Sequence, residues 1–317
     1  MRELVVEIAE GIATVTLNRP SVLNALSFGM LEELTERLDA WEDDASVSSI
    51  VFRGAGDRAF CAGGDIRALY AEIKSGRPPL RYFEVEYALD RRIHEYPKPI
   101  AALIDGIVMG GGMGISQGAR HRLVGDRTRM AMPETAIGLF PDVGGSYFLS
   151  RCPGKLGLYL GLAGPTIGAA DAIYCKLADS YADRRKPPAE SDLERLRPAI
   201  DEHFSKASVA GIVESLGSET REPWRDWAHV TRESLLRRSP MMLCVTFEQL
   251  RRGATLSLGE CFAMELDLIQ AAMEHPDMLE GIRALIVDKD NKPRWNPGSL
   301  AQVSASDIDR FFTKRKQ

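Results

Sequence analysis

The stretch PIAALIDGIVMGGGMGISQG, Pro99 to Gly118, decides how this chain folds. Its first half is a short apolar run closed by Asp105 and Gly106, which predicts a buried strand. Gly110, Gly111 and Gly112 then lead into a segment that predicts a helix opening on a glycine turn. The same grammar recurs upstream. SSIVFRGAG predicts a short buried strand ending in glycines, and FCAGGDI, Phe60 to Ile66, lies between a strand and a helix. LVVEIAEGIATVTLN predicts a β-hairpin turning at Glu10 and Gly11. SFGMLEELTERLDAWEDD sets Met30, Leu31, Leu34, Leu38 and Trp41 at helical spacing, with Ser27 as its N-cap. LRYFEVEYALDRRIHEY predicts a helix and RTRMAMPE a strand. Strands alternating with helices give the expected fold class, α/β with much of the sheet parallel.

Composition changes at ADRRKPPAESDLERLRP, a charged, proline-bearing stretch that predicts an exposed connection. Beyond it the patterns are helical: ASVAGIVESL, REPWRDWAHVTRESLLRR, MMLCVTFEQLRRG and LGECFAMELDLIQAAMEH. The expected division is residues 1–190 and 191–317.

The whole chain, 317 residues with 44% hydrophobic and 27% charged residues, is long enough to bury a large core. A net charge of −5 without a basic tract argues against a nucleic-acid partner. The five cysteines are odd in number and never spaced CxxC, and the five histidines are dispersed. That composition predicts reduced thiols and no metal site. Glu3, Glu7 and Glu10 argue against a signal or transit peptide, and IVMGGGMGI is too short to span a bilayer. The expectation is a soluble, cytoplasmic protein with no membrane association.

Two glycine turns in one sheet, AGGD and MGGGM, can converge their peptide N–H groups on a single oxygen and stabilise an oxyanion. Each is equally readable as a tight strand-to-helix turn. GISQG, Gly114 to Gly118, matches the serine-hydrolase pattern, but Ser116 falls inside the predicted helix instead of on its sharp turn. GGGMGISQG misses the dinucleotide fingerprint. AMPETAIGLFPDVGG, Ala131 to Gly145, sets Glu134 and Asp142 among Met132, Ile137, Leu139 and Phe140. Gly138 and Pro141 break any continuous helix between the two acids. Apolar neighbours raise the proton affinity of a carboxylate, which suits nucleophilic or acid/base work. The alternative is that each acid caps the helix that follows it.

LNRPSVLNAL, GAGDRAFCAGGDI, KPIAALIDGIVMGGG and MPETAIGLFPDVGG together resemble the crotonase (enoyl-CoA hydratase/isomerase) superfamily, over about residues 4 to 312. HPDMLEGIRALIVDKDNKPRWNP resembles its acyl-CoA hydrolase branch. The resemblance implies a spiral of ββα turns followed by a helical C-terminal region covering the active site. It also implies an acyl-CoA thioester substrate, with CoA entering as part of the substrate and no separate cofactor. Crotonase relatives often form trimers or dimers of trimers, which offers a homo-oligomer for this chain without requiring one. By position the oxyanion donors would be Gly64 and Gly111, and Ala62, Gly63, Asp65 and Ile66 would curve around the CoA adenine. Hydratases carry one acid in a GGGxE segment, where this chain has Gly114, and another in a PE segment, here Glu134. Asp142 replaces the glycine of their PGxGG. Glu134 with Asp142 is the hydrolase pattern, and Glu86 matches a substrate-binding glutamate of that branch whose other reading is an exposed helix acid. The implied activity is thioester hydrolysis, of the kind that releases 3-hydroxyisobutyrate and CoA in valine breakdown. The alternatives are hydratase or isomerase chemistry, and CoA binding without catalysis.

Overall fold

The structure, a computed structural model, describes residues 2–77, 79–183, 185 and 190–314. It comprises two compact units built from interleaved stretches of chain. The first takes residues up to Asp65, Arg81–Ala131 and Thr166–Asp192. The second takes Ile66–Leu80, Met132–Pro165 and the chain from Leu193 onward. The stretch where composition changes thus spans the end of the first unit, and residues 184 and 186–189 within it lie outside the described residues.

Among the described residues, every strand lies in the first unit. Strands β1 (Leu4–Ala9) and β2 (Ile12–Leu17) form the expected hairpin, with Ala9 opposite Ile12 across the Glu10–Gly11 turn. The chain then contributes strands in pairs: β3 (Ser49–Gly54) with β4 (Ala59–Cys61), β5 (Ile100–Ile104) with β6 (Ile107–Met109), and β7 (His121–Val124) with β8 (Arg129–Ala131). The first of each pair joins a six-stranded sheet ordered β1-β2-β3-β5-β7-β9, closed by β9 (Ser180–Tyr181). The second joins a three-stranded sheet ordered β4-β6-β8. Every pairing between these strands after the hairpin is parallel. A helix closes the first two turns, Leu80–Glu95 and Gly111–Gln117 respectively. This is the α/β spiral of ββα turns.

The break between β5 and β6 is set by Gly106, at φ +80, where an added methyl would fall 2.5 Å from the Arg58 carbonyl oxygen. Only a glycine lets the two turns stack this closely. The helix Phe28–Glu42 begins at Ser27, whose hydroxyl accepts from the Met30 N–H at 3.2 Å, and buries Met30, Leu31, Leu34, Leu38 and Trp41 as its spacing requires.

The second unit is helical. Its helices include Val209–Gly217, Arg225–Leu236, Pro240–Gly253 and Leu258–Glu274. Ser208, Ser239 and Ser257 cap three of them, and Ser257 forms a full capping box with Glu260. Helix Pro240–Gly253 buries Met241, Met242, Leu243, Val245 and Leu250, against which Leu149, Leu156 and Leu160 complete an apolar core.

Candidate active site

In the first unit, LNRPSVLNAL shapes the glycine turn. Leu23 and Asn24 both take left-handed backbone, at φ 56. The buried Asn24 side chain accepts from the Arg19 N–H (3.0 Å) and donates to the carbonyls of Ala55 (3.0 Å) and Ala59 (2.9 Å). So held, Leu23–Leu26 runs beside the segment 62–65. Ala62 N–H donates to Leu23 (3.0 Å), Leu26 N–H to Gly63 (2.8 Å), and Asp65 N–H to Leu26 (2.9 Å). In such a parallel bridge the residue between the two bonds, here Gly64, turns its own N–H to the other side. Gly111 opens the helix Gly111–Gln117, so its N–H has no acceptor in a preceding helical turn. The two turns meet, since a methyl on Gly63 would lie 3.1 Å from the Met109 carbonyl oxygen and 3.5 Å from the Gly111 nitrogen.

Tyr82 and Glu86, one turn apart on the helix Leu80–Glu95, reach over these glycines. A methyl on Gly64 would fall 2.7 Å from the Tyr82 hydroxyl, which donates to Leu26 at 3.3 Å. A methyl on Gly111 would fall 2.2 Å from Glu86 Oε1. Glu86 is buried, not an exposed helix acid. Asp90, one turn further, is buried too, and burial together with these two carboxylates pushes the Cys61 thiol up to about 12. Asp65 pairs with Arg19 at 2.9 Å, and Ile66 opens the helix Ile66–Lys74 of the second unit. Ser116 lies within its helix, buried, its hydroxyl spent on the Met113 carbonyl at 3.1 Å. It is no nucleophile elbow.

Glu134 and Asp142 both belong to the second unit, and each is 5% exposed. Glu134 starts a single 3-10 turn, Glu134–Ile137, which Gly138 closes in left-handed backbone at φ 73. Leu139 N–H returns to the Glu134 carbonyl at 3.0 Å, so the chain loops back between the acids. Neither acid is the cap proposed as the alternative: Pro133 precedes the first turn and Gly144 the next helix, Gly145–Phe148. Burial pushes the Glu134 carboxyl well above the ordinary 4.5, and the charge of Asp142 pushes it further; Arg238 pulls the other way.

Arg238 was not legible as a site residue. Its guanidinium is buried, donating to Thr135 Oγ1 (2.7 Å) and to the Ala163 carbonyl, and burial lowers it to about 10 while Glu134 opposes the fall. Glu265 was missed as well. Its carboxylate accepts from the N–H groups of Gly144 (2.7 Å) and Ser146 (2.9 Å) and from the Ser146 hydroxyl. Burial pushes it up to about 8, opposed by those donors and reinforced by Asp142. One signal was available: Glu265 is an acid in an apolar stripe with Cys261, Phe262, Leu268 and Ile269.

The profile of the enoyl-CoA hydratase/isomerase family matches residues 12–189 and 181–312. The chain belongs to this family. A Gallus gallus relative named 3-hydroxyisobutyryl-CoA hydrolase, mitochondrial, is 40% identical over 95% of this chain and 86% of its own length. A Danio rerio relative of the same name is 40% identical over 94% and 86%. The solved structure of a carnitinyl-CoA dehydratase from Mycobacterium thermoresistibile is 38% identical, with TM-score 0.94 over 99% of this chain and 97% of that one.

These relatives correct one expectation. The relatives from Gallus gallus and Danio rerio are named as mitochondrial, which overturns the reading of a cytoplasmic location. The physical reason is that Glu7 lies in β1 and Glu10 in the hairpin turn, so their charge belongs to the fold and does not report a compartment. Among the described residues no helix is long and apolar enough to cross a membrane.

Proposed function

We propose that this chain hydrolyses a short 3-hydroxyacyl-CoA thioester, with 3-hydroxyisobutyryl-CoA the leading substrate, releasing the hydroxy acid and CoA in valine breakdown. The observation that carries the reading is the buried pair Glu134 and Asp142 in one unit, with the Asp142 charge close enough to raise the proton affinity of Glu134. Position 114, where a hydratase carries its other acid, is glycine. The names of the Gallus gallus and Danio rerio relatives support the same chemistry.

In this proposal the thioester oxygen accepts from the Gly64 and Gly111 N–H groups. Each donor of this kind is worth about 3–4 kcal/mol as charge moves onto the oxygen. Glu134 supplies the attack, either directly, leaving a mixed anhydride that water opens, or by drawing a proton from water. Arg238 offsets part of the burial cost of the Glu134 anion. When Glu134 attacks as the anion, Asp142 carries the one proton the pair shares. It hands that proton to the departing CoA thiolate and regains one from the water that completes hydrolysis, while Glu86 holds the substrate 3-hydroxyl. Ala62, Gly63, Asp65 and Ile66 line the path of the adenine end. No separate cofactor enters the scheme.

The test is a panel of acyl-CoA esters assayed for free thiol without added metal or nicotinamide. Thiol release is expected from 3-hydroxyisobutyryl-CoA; its absence from every short 3-hydroxyacyl-CoA ester would overturn the proposal. The likeness to a carnitinyl-CoA dehydratase favours a second reading, hydration or dehydration on the same scaffold. Loss of crotonyl-CoA absorbance without thiol release would select it.

A further inference from the structure

Asp142 sits in a turn whose shape is not self-supporting. Val143, the next residue, takes left-handed backbone at φ 53, where a β-branched residue is a true outlier, and Gly144 follows at φ 86. Such a conformation persists only where its surroundings hold it. Two helices of the same unit do so with buried polar side chains. From Pro240–Gly253, Gln249 Nε2 donates to the Pro141 carbonyl at 2.6 Å. From Leu258–Glu274, Glu265 takes the Gly144 N–H on one carboxylate oxygen and the Ser146 N–H and hydroxyl on the other. Both residues have no exposed surface. The turn has little room to relax: a methyl on Gly253 would fall 2.2 Å from the Ser146 carbonyl oxygen, and one on Gly144 3.1 Å from the Phe262 ring.

Burying a carboxylate and an amide in a helical core is costly, and here the hydrogen bonds to the turn offset the cost. Leu or Met at either position would fill the space with less penalty. The bonds go to Pro141 on one side of Asp142 and to Gly144 and Ser146 on the other, so the two side chains brace its backbone from opposite flanks.

We infer that Glu265 and Gln249 are positioning residues that hold the Asp142 carboxyl at its reacting angle by clamping the turn 141–146. They act through the backbone and touch no substrate. The inference rests on the hydrolytic reading above, because it has meaning only if Asp142 serves the reaction.

The experiment is a double-mutant cycle on the full chain with 3-hydroxyisobutyryl-CoA, comparing wild type, Asp142→Asn, Glu265→Gln and the double variant. Glu265→Gln keeps the size of the side chain but turns a donor toward a backbone N–H. It is expected to lower kcat by about 10- to 100-fold, the scale of a small misplacement of a reacting group, with KM within about twofold of wild type. In the Asp142→Asn background the same change is expected to cost nothing more, since the group it positions is gone. Losses that multiply would overturn the inference, as would a normal kcat in Glu265→Gln beside a crippled Asp142→Asn. Normal turnover by Asp142→Asn would remove Asp142 from the reaction and overturn the inference with it, whereas no thiol release by the wild type would overturn the hydrolytic reading itself. Should Glu265→Gln fail to fold, Gln249→Met in the same cycle carries the test, with the same coupling expected and multiplying losses again overturning it.

Discussion

At the scale of the residue, the two acids of AMPETAIGLFPDVGG were readable because their neighbours are apolar and the intervening Gly138 and Pro141 bend the chain back. Glu134→Gln is expected to lower thiol release by about 10²- to 10⁴-fold, the usual worth of a positioned acid or base, while acyl-CoA affinity measured by calorimetry stays within a few-fold of wild type. Near-normal turnover by a folded variant would remove Glu134 from the mechanism. Glu265 also predicts a pH effect. Its carboxyl is raised from 4.5 to about 8, so between those values the folded chain holds a proton that the unfolded chain has released. Stability from this group is complete below the lower value and is lost as pH climbs to about 8. His94, lowered to about 4, works in the opposite direction only below 6.5. Urea midpoints between pH 6.5 and 8 should therefore fall more for wild type than for Glu265→Gln, and parallel curves would contradict the assignment. Glu265 and Arg238 escaped the sequence reading because their partners lie about a hundred residues away, which no local pattern encodes.

At the scale of the element, hairpin, long helices and the parallel strands were legible because each repeats its apolar period over enough residues. Of the short strands, β8 lies within RTRMAMPE and was legible. What was not is the place of β4, β6 and β8 in a second sheet, because three residues are too few to show alternation and the pairing depends on stacking successive turns. The helix Leu80–Glu95 does double duty, packing the core with Phe83, Tyr87 and Ile93 while laying Tyr82 and Glu86 over Gly64 and Gly111. Gly111→Ala should push Glu86 aside, whereas Gly111→Pro should do this and also delete the N–H, at a helix position that accepts proline. The difference in kcat between the two isolates the donor, and about 10²-fold is expected. Equal rates would show that this N–H does not hold the oxyanion. Glu86→Gln should weaken the preference for 3-hydroxyacyl over plain acyl esters, read as the ratio of their kcat/KM values.

At the scale of the whole molecule, the compact units do not follow chain order. Met132–Pro165, which carries both acids, packs with the chain from Leu193 onward. A fragment ending at Asp192 would keep both glycine turns but lose Arg238, Gln249 and Glu265. It is expected to show no thiol release and to expose the apolar faces around Leu149, Leu156 and Leu160, read as binding of a hydrophobic dye. A soluble fragment with measurable turnover would refute this dependence.

The same interleaving has a consequence for the newborn chain on the ribosome. The bond from Gly144 to Glu265 spans 121 residues. At roughly 5–20 residues per second, the Asp142 turn must wait on the order of ten seconds between its own synthesis and the arrival of its clamp. During that interval Val143 has no reason to hold its left-handed angle, and the acid it will aim is free to wander. A polypeptide whose translation stops before Glu265 would thus carry the reactive groups without the means to use them, so the enzyme's chemistry waits on a residue made long after the acids themselves.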